Sequence, residues 1–197
     1  MQSIFNQRYF DEDELKAMNF KSLGSDVKIA RTARLYLPEY IAIGNFSVVD
    51  DFCIISGNVE LGTNVHIAHG GRLIGGLEGI RMGDFSGLAF GGTIFSQTDD
   101  YGGLALTGPT VPMKFRRITR ARVEVGRHAI IGAGAIILPG VQIGEGSSIG
   151  ACSLVTKSTE SWSINLGIPA RRLRDRRRDL LALEQDYLRE LSHSDGK

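Results

Sequence analysis

Large apolar residues recur along this chain at every sixth position. Ile43, Val49, Ile55, Leu61, Ile67 and Leu73 stand six apart; Met82, Leu88 and Ile94 resume the count; Val125, Ile131, Ile137, Ile143, Ile149 and Val155 complete it. Ile29, Leu35 and Ile41 carry the pattern upstream in a shifted register. Four residues after each of these positions the side chain is usually small, as at Ser47, Cys53, Gly71, Ser86, Gly92, Ala129, Ala135, Ser147 and Ser153. Glycine often follows immediately, at 44, 62, 83, 126, 132, 144 and 150. A period of six matches neither a helical stripe nor extended strand alternation. It predicts short strands joined by tight bends, with the large residue inside a shared prism and the small one at the bend. Three hexads then close one triangular coil, and the fold class is all-β, a parallel β-helix. Strands of a sandwich do not hold such a phase over many consecutive units.

Three segments depart from the repeat. Asp11 to Met18 reads as a short helix, with Asp11 as N-cap and Glu14 completing a capping box. Residues 98–121 form one long protruding loop rich in Gly, Pro and charge; a loop of that length in a compact protein usually has a function. Asp175 to His193 reads as an amphipathic C-terminal helix with Leu180, Leu183, Tyr187, Leu188 and Leu191 on one stripe. The chain therefore divides into an N-terminal helical segment (1–26), a β-helix domain (27–160) carrying the inserted loop, and a C-terminal tail with its helix (161–197).

Composition narrows the function classes. With 23 Lys plus Arg against 22 Asp plus Glu, the net charge of +1 gives no global case for nucleic acid or an anionic membrane. Cys53 and Cys152 do not make a disulfide framework. The opening residues lack the basic and apolar regions of a secretory signal, and no run approaches the roughly 18 consecutive apolar residues of a membrane span. The expectation is a cytoplasmic protein. Its 25 glycines, without low complexity, must serve the fold.

If three hexads make a coil, equivalent residues stack. Register residues 43, 61, 82, 125 and 143 fall on one face, 49, 67, 88, 131 and 149 on a second, and 55, 73, 94, 137 and 155 on a third. Ala68, Ala89, Gly132 and Gly150 should then form a column of small residues that leaves backbone N–H and C=O groups approachable. Beside it runs the line His66, Gly87 and Ile130.

The stretch GRHAIIGAGAIILPGVQIGEGSSIGACSLVTKS followed by GIPARRLR resembles the hexapeptide-repeat acyltransferases. The resemblance is to the branch of the galactoside and maltose O-acetyltransferases and the acetyltransferases of surface polysaccharide synthesis. It extends over roughly residues 27 to 174 and implies a left-handed β-helix, a homotrimer and acetyl-CoA as donor. The family's donor lies along the prism with its nucleotide toward the C-terminal end. By that resemblance Gly132, Ala133, Gly134, Gly150 and Ala151 would contact the pantetheine arm, while Thr156, Lys157, Pro169, Arg171 and Arg174 would sit near the nucleotide, where cations suit its phosphates. No metal is implied.

The chain departs from the family at one important place: Asp99 stands where members usually carry a catalytic histidine. Acyl transfer to a hydroxyl needs a base for its proton. His66, beside the small-residue column, is the substitute, and Asp99 of a neighbouring subunit is its candidate orienting carboxylate. His69 is a second candidate, and His69, Asp100 and Tyr101 are candidate substrate contacts. The acceptor reads first as a saccharide hydroxyl and second as the amine of a nucleotide-linked amino sugar, which attacks without prior deprotonation. A non-catalytic scaffold is a third reading. A γ-type carbonic anhydrase would need three histidines on zinc, and only His66, His69 and His128 are available.

Overall fold

A computed structural model describes residues 8–194; the first seven residues of the N-terminal segment and the last three of the tail lie outside it. The hexads form the predicted parallel columns. Leu23, Ile43, Leu61, Met82, Val125 and Ile143 pair in register along the first. Ile29, Val49, Ile67, Leu88, Ile131 and Ile149 form the second. Leu35, Ile55, Leu73, Ile94, Ile137 and Val155 form the third. These residues, apart from the partly buried Leu23 and Leu35, are buried and pack as one core with the small bend residues Cys53, Ala129, Ala135 and Val141.

The upstream register differs from the expected one. Leu23, Ile29 and Leu35 occupy the three columns, and Ile41 instead pairs with Val59. The extra residues between Leu35 and Ile43 are taken up by a 3₁₀ turn, Pro38–Tyr40, entered through Leu37 at φ 61°. A second insertion lies between Leu73 and Met82, inside the long strand Arg72–Met82. Gly76 and Gly79 take positive φ there, which an L side chain resists.

Helix α1 (Glu12–Ala17) has the expected capping box between Asp11 and Glu14, and it buries Leu15 against the first coil. Glu14 also pairs with Arg31 at 2.6 Å. The long loop stands on an antiparallel stem in which Gln97–Asp99 pairs with Ile118–Arg120. At the C-terminal end the strand Ser163–Gly167 joins the second column with Asn165 opposite Ile149, then folds back on Ala170–Asp175. The GIPA motif is the turn of this hairpin, with a cis bond at Ile168–Pro169. Asn165 closes the prism by donating to Ser147 and Ser163. The C-terminal helix, α2 (Leu180–Ser194), therefore starts later than Asp175, because the residues up to Asp175 are held as a strand.

Adjacent residues of one hexad face opposite ways: Ile131 is fully buried, whereas Ile130 is 46% exposed. Ile131→Ala should cost about 2–5 kcal/mol, the range for emptying a packed core position. Ile130→Ala should change stability by no more than about 0.5 kcal/mol. Equilibrium denaturant titration of both variants checks this, and equal effects would contradict the inward and outward assignment.

Candidate active site

The second column and the bend after it carry most of the candidate residues. Asp50, Ala68, Ala89, Gly132 and Gly150 each follow a second-column register residue, and each N–H donates to the coil above: Asp50 to Ile67, Ala68 to Leu88, Ala89 to Ile131, Gly132 to Ile149 and Gly150 to Asn165. The predicted small-residue column exists, but its backbone is not the approachable surface expected. Its N–H groups are spent on the ladder, and the carbonyls of Ala68, Ala89 and Gly132 accept from Gly71, Gly92 and Ala135 across the bend. The N–H groups of Ala133 and Ala151, one residue further on, have no protein acceptor among the described residues. Glycine at 132 is required by coil stacking: a Cβ there would lie 2.6 Å from the amide nitrogen of Ala151.

Between Ala30 below and Ala68 above, this column carries Asp50, only 8% exposed, where Ala or Gly stands in the other coils. Its carboxylate lies 2.8 Å from His66 Nε2, 2.9 Å from Arg8 Nη2 and 3.3 Å from His69 Nδ1. Asp51 joins the cluster through Arg8 at 2.8 Å and Thr32 at 2.7 Å. Thr32, Arg8 and the His69 charge hold its carboxyl below the usual carboxylate range. His69 stacks on Phe90, the equivalent residue one coil up, with ring centroids 5.5 Å apart. The imidazole of His66 thus has a nearly buried carboxylate partner within its own chain. Asp50 had no part in the sequence reading. The signal was available, as an acidic residue interrupting a column otherwise made of alanine and glycine.

Asp99 lies elsewhere. Its carboxylate accepts from Arg116 Nη2 at 3.1 Å and from the Gly108 N–H at 3.1 Å, and the hydrogen bond from Arg116 is the main cause that holds it below the usual carboxylate range. Within one chain it is not in contact with His66. Asp100 accepts from the N–H groups of Gly102, Leu104 and Ala105, so it shapes the turn of the loop. Tyr101 is almost wholly exposed. At the C-terminal end Thr156, Lys157, Arg171 and Arg174 are exposed, and none of the three cations forms an ion pair among the described residues.

The bend before the second column has its own stack: Asn64, Phe85, His128, Gly146 and Trp162 all take positive φ at equivalent corners. Phe85 and His128 stack at 5.4 Å, and Tyr187 of α2 meets Phe85 edge-on at 6.0 Å. His128 is buried and lies 3.0 Å from Glu184 of α2, and burial is the main cause that pushes its imidazole below the usual histidine value. It therefore belongs to a different corner from His66 and His69. Among the described residues no group of three or more His, Cys, Asp or Glu side chains is arranged to hold a metal ion.

The prism thus carries a small-residue column leading to exposed cations at one end and a histidine cluster toward the other. The family model for the bacterial transferase hexapeptide (six repeats) matches residues 122–157. The dTDP-4-amino-4,6-dideoxy-D-glucose acyltransferase of Escherichia coli is 38% identical over 182 residues, 91% of this chain and 94% of that one. AntD, an N-acyltransferase from Bacillus cereus solved in complex with dTDP and 3-hydroxybutyryl-CoA, superposes with a TM-score of 0.92 at 39% identity. The match covers 94% of this chain and 98% of that one. A putative lipopolysaccharide biosynthesis O-acetyl transferase of Escherichia coli K12 is 27% identical over 120 residues, 59% of this chain and 57% of that one. The chain belongs to the hexapeptide-repeat acyltransferases.

The two cysteines separate by environment. Burial pushes the Cys53 thiol up to about 11, whereas Cys152 is exposed on the bend after the column. An alkylating reagent at neutral pH should therefore modify one thiol in the native chain and two after denaturation, read by intact mass. Modification of Cys53 in the native protein would contradict the packing of that bend.

Proposed function

We propose that the protein transfers an acyl group from a coenzyme A thioester to the amino group of a dTDP-linked amino-deoxy sugar. The observation that carries this reading is the state of Asp99. At the place where the resemblance expects a histidine base, the chain has a carboxylate held in its ionised form by Arg116 and Gly108. Such a group is too weak a base to take the proton of a sugar hydroxyl. An amine attacks through its own lone pair and sheds its proton afterwards. With relatives named for dTDP-amino-sugar and N-acyl transfer, the reading that placed a saccharide hydroxyl first gives way to its alternative.

The donor lies along Gly150, Gly132 and Ala89, with Ala133, Gly134 and Ala151 beside it, and its phosphates meet Lys157, Arg171 and Arg174 near Thr156 and Pro169. From Gly150 to Asp50 the column descends four coils, about 19 Å at the usual strand spacing of about 4.8 Å, a distance that an extended pantetheine arm can span. The thioester then reaches the neighbourhood of His66. With Asp50 accepting a hydrogen bond from Nε2–H, the other ring nitrogen is left as the base. As the amine nitrogen bonds to the thioester carbon, the C–S bond breaks. Nδ1 takes the proton that the new amide sheds, and the thiolate leaves to be protonated. We infer a homotrimer, as in the family, which sets the loop carrying Asp99, Asp100 and Tyr101 of one subunit near the column of the next, with His69 beside His66. A cytoplasmic setting fits this chemistry, and no helix among the described residues is long and apolar enough to cross a membrane.

Thiol release from acetyl-CoA should depend on dTDP-4-amino-4,6-dideoxy-D-glucose. It should fall by about 100-fold or more in His66→Ala and by at least about tenfold in Asp50→Asn, which leaves the wrong tautomer. Equal turnover of the matching 4-hydroxy sugar would sink the amine reading; full activity in His66→Ala would remove His66 from the chemistry. Native mass spectrometry should give three chains per particle, and a monomer would rule out any site shared between subunits.

A further inference from the structure

Residues 8–10 run antiparallel to the first coil. The Arg31 N–H donates to the Arg8 carbonyl at 3.0 Å, Tyr9 bridges Ala30, and the Phe10 N–H donates to the Ile29 carbonyl at 3.0 Å. This short pairing carries the Arg8 side chain to the bend where Asp50 and Asp51 stand. There its Nε–H donates to Asp51 Oδ2 at 2.8 Å, and one Nη2 hydrogen to Asp50 Oδ1 at 2.9 Å. The second Nη2 hydrogen is left for His69 Nε2, at 3.2 Å. His66 Nε2 and Thr32 Oγ1 take the remaining oxygens, Asp50 Oδ2 and Asp51 Oδ1, at 2.8 and 2.7 Å. All four carboxylate oxygens are thus engaged, and His69 approaches them from the side. Its Nδ1 lies 3.3 Å from Asp50 Oδ2 without forming a hydrogen bond, and its Nε2 lies 3.4 Å from Asp51 Oδ2.

A guanidinium has donors and no lone pair. The contact from Arg8 is therefore a hydrogen bond only when His69 Nε2 is unprotonated, and the neutral ring then carries its proton on Nδ1, facing Asp50. The opposite tautomer would set N–H against N–H. Stacking on Phe90, with 17° between the ring planes, holds the imidazole in place for this contact. His69 accordingly has no lone pair to offer a reacting group: Nδ1 is protonated and the Nε2 pair is occupied by Arg8. His66 is in the opposite condition. Its Nε2–H is spent on Asp50, its side chain is half exposed, and its Nδ1 lone pair meets no protein donor among the described residues.

We propose that Arg8 is a positioning residue that decides which of the two histidines on Asp50 can accept a proton. It fixes His69 as the Nδ1–H tautomer with its lone pair occupied, and leaves His66 as the base. The source of that proton rests on the amino-sugar reading above. The test is long-range ¹H–¹⁵N NMR of the substrate-free protein and of Arg8→Met, at a pH of about 8 where an ordinary imidazole is neutral. The backbone of Arg8, and not its half-exposed side chain, pairs with the first coil, so the variant should keep its melting temperature. In the unaltered protein His69 should give the Nδ1–H pattern and His66 the Nε2–H pattern. In Arg8→Met, Asp51 Oδ2 loses its donor, and His69 should change to the Nε2–H pattern while His66 keeps its own. Turnover of the amino sugar should fall by about tenfold through kcat, with the acceptor KM within about twofold. An Nε2–H pattern for His69 in the unaltered protein, or an Nδ1–H pattern retained in Arg8→Met, overturns the role of Arg8 and leaves the amino-sugar reading standing. If the spectra change as expected while the unaltered protein fails to acylate the amino sugar, that reading falls and the proton assignment stands.

Discussion

The hydrogen-bond ladder from each coil to the next is the constraint on which this molecule depends. Because each coil donates to its neighbour in strict register, a residue's neighbours are set by its place in the hexad and by the residues one coil above and below. That rule puts a large apolar residue inside and a small one at the bend, and it lets coils approach until a Cβ at Gly132 would collide with the backbone above. It also makes the outer surface a set of columns, so a surface feature built at one position is repeated or interrupted along a line. The proposed donor path is such a repetition, and Asp50 is the residue that interrupts it. A cleft for a long, extended ligand thus comes from stacking itself, without a separate domain to close over it.

Much of this was legible in the residue order. The six-residue phase gave the columns, and the Asp11 and Glu14 pair gave the first helix, because both depend on neighbours close in sequence. The register before Ile43 was not legible, since a 3₁₀ turn at Pro38–Tyr40 absorbs extra residues and the period carries no mark of how many. The partners of the charged side chains were also hidden. Arg116 reaches Asp99 because the loop stands on a stem pairing residues some twenty apart, and Arg8 reaches Asp50 from before the first coil. Nothing in a periodic pattern predicts which cation folds back onto which acid. The column containing Asp50 was predictable, and an acid in a line of small residues is the kind of exception worth weighing.

The prism presents different surfaces along its axis and around it. Along the axis, identical spacing makes a column of small residues; around the axis, the two bends flanking the second column have different side chains. The bend after it is lined by small residues down to the Asp50 cluster, while the bend before it carries Phe85, His128 and Trp162 and is covered by α2. His66 sits on the narrow strip between. Departures from the repeat, and not the repeat itself, therefore give this prism its chemistry.

The hairpin at the C-terminal end has a consequence of another kind. A stack of parallel coils has an end whose last strand presents unsatisfied N–H and C=O groups, an open edge that templates addition of further chains. Here Ala170–Asp175 covers the edge of Ser163–Gly167 in antiparallel sense, and Asn165 replaces the apolar register residue with a polar plug. The turn that marks the end of the repeat thus doubles as a barrier against fibrous self-association, keeping a fold with an inherently extendable axis at a finite length.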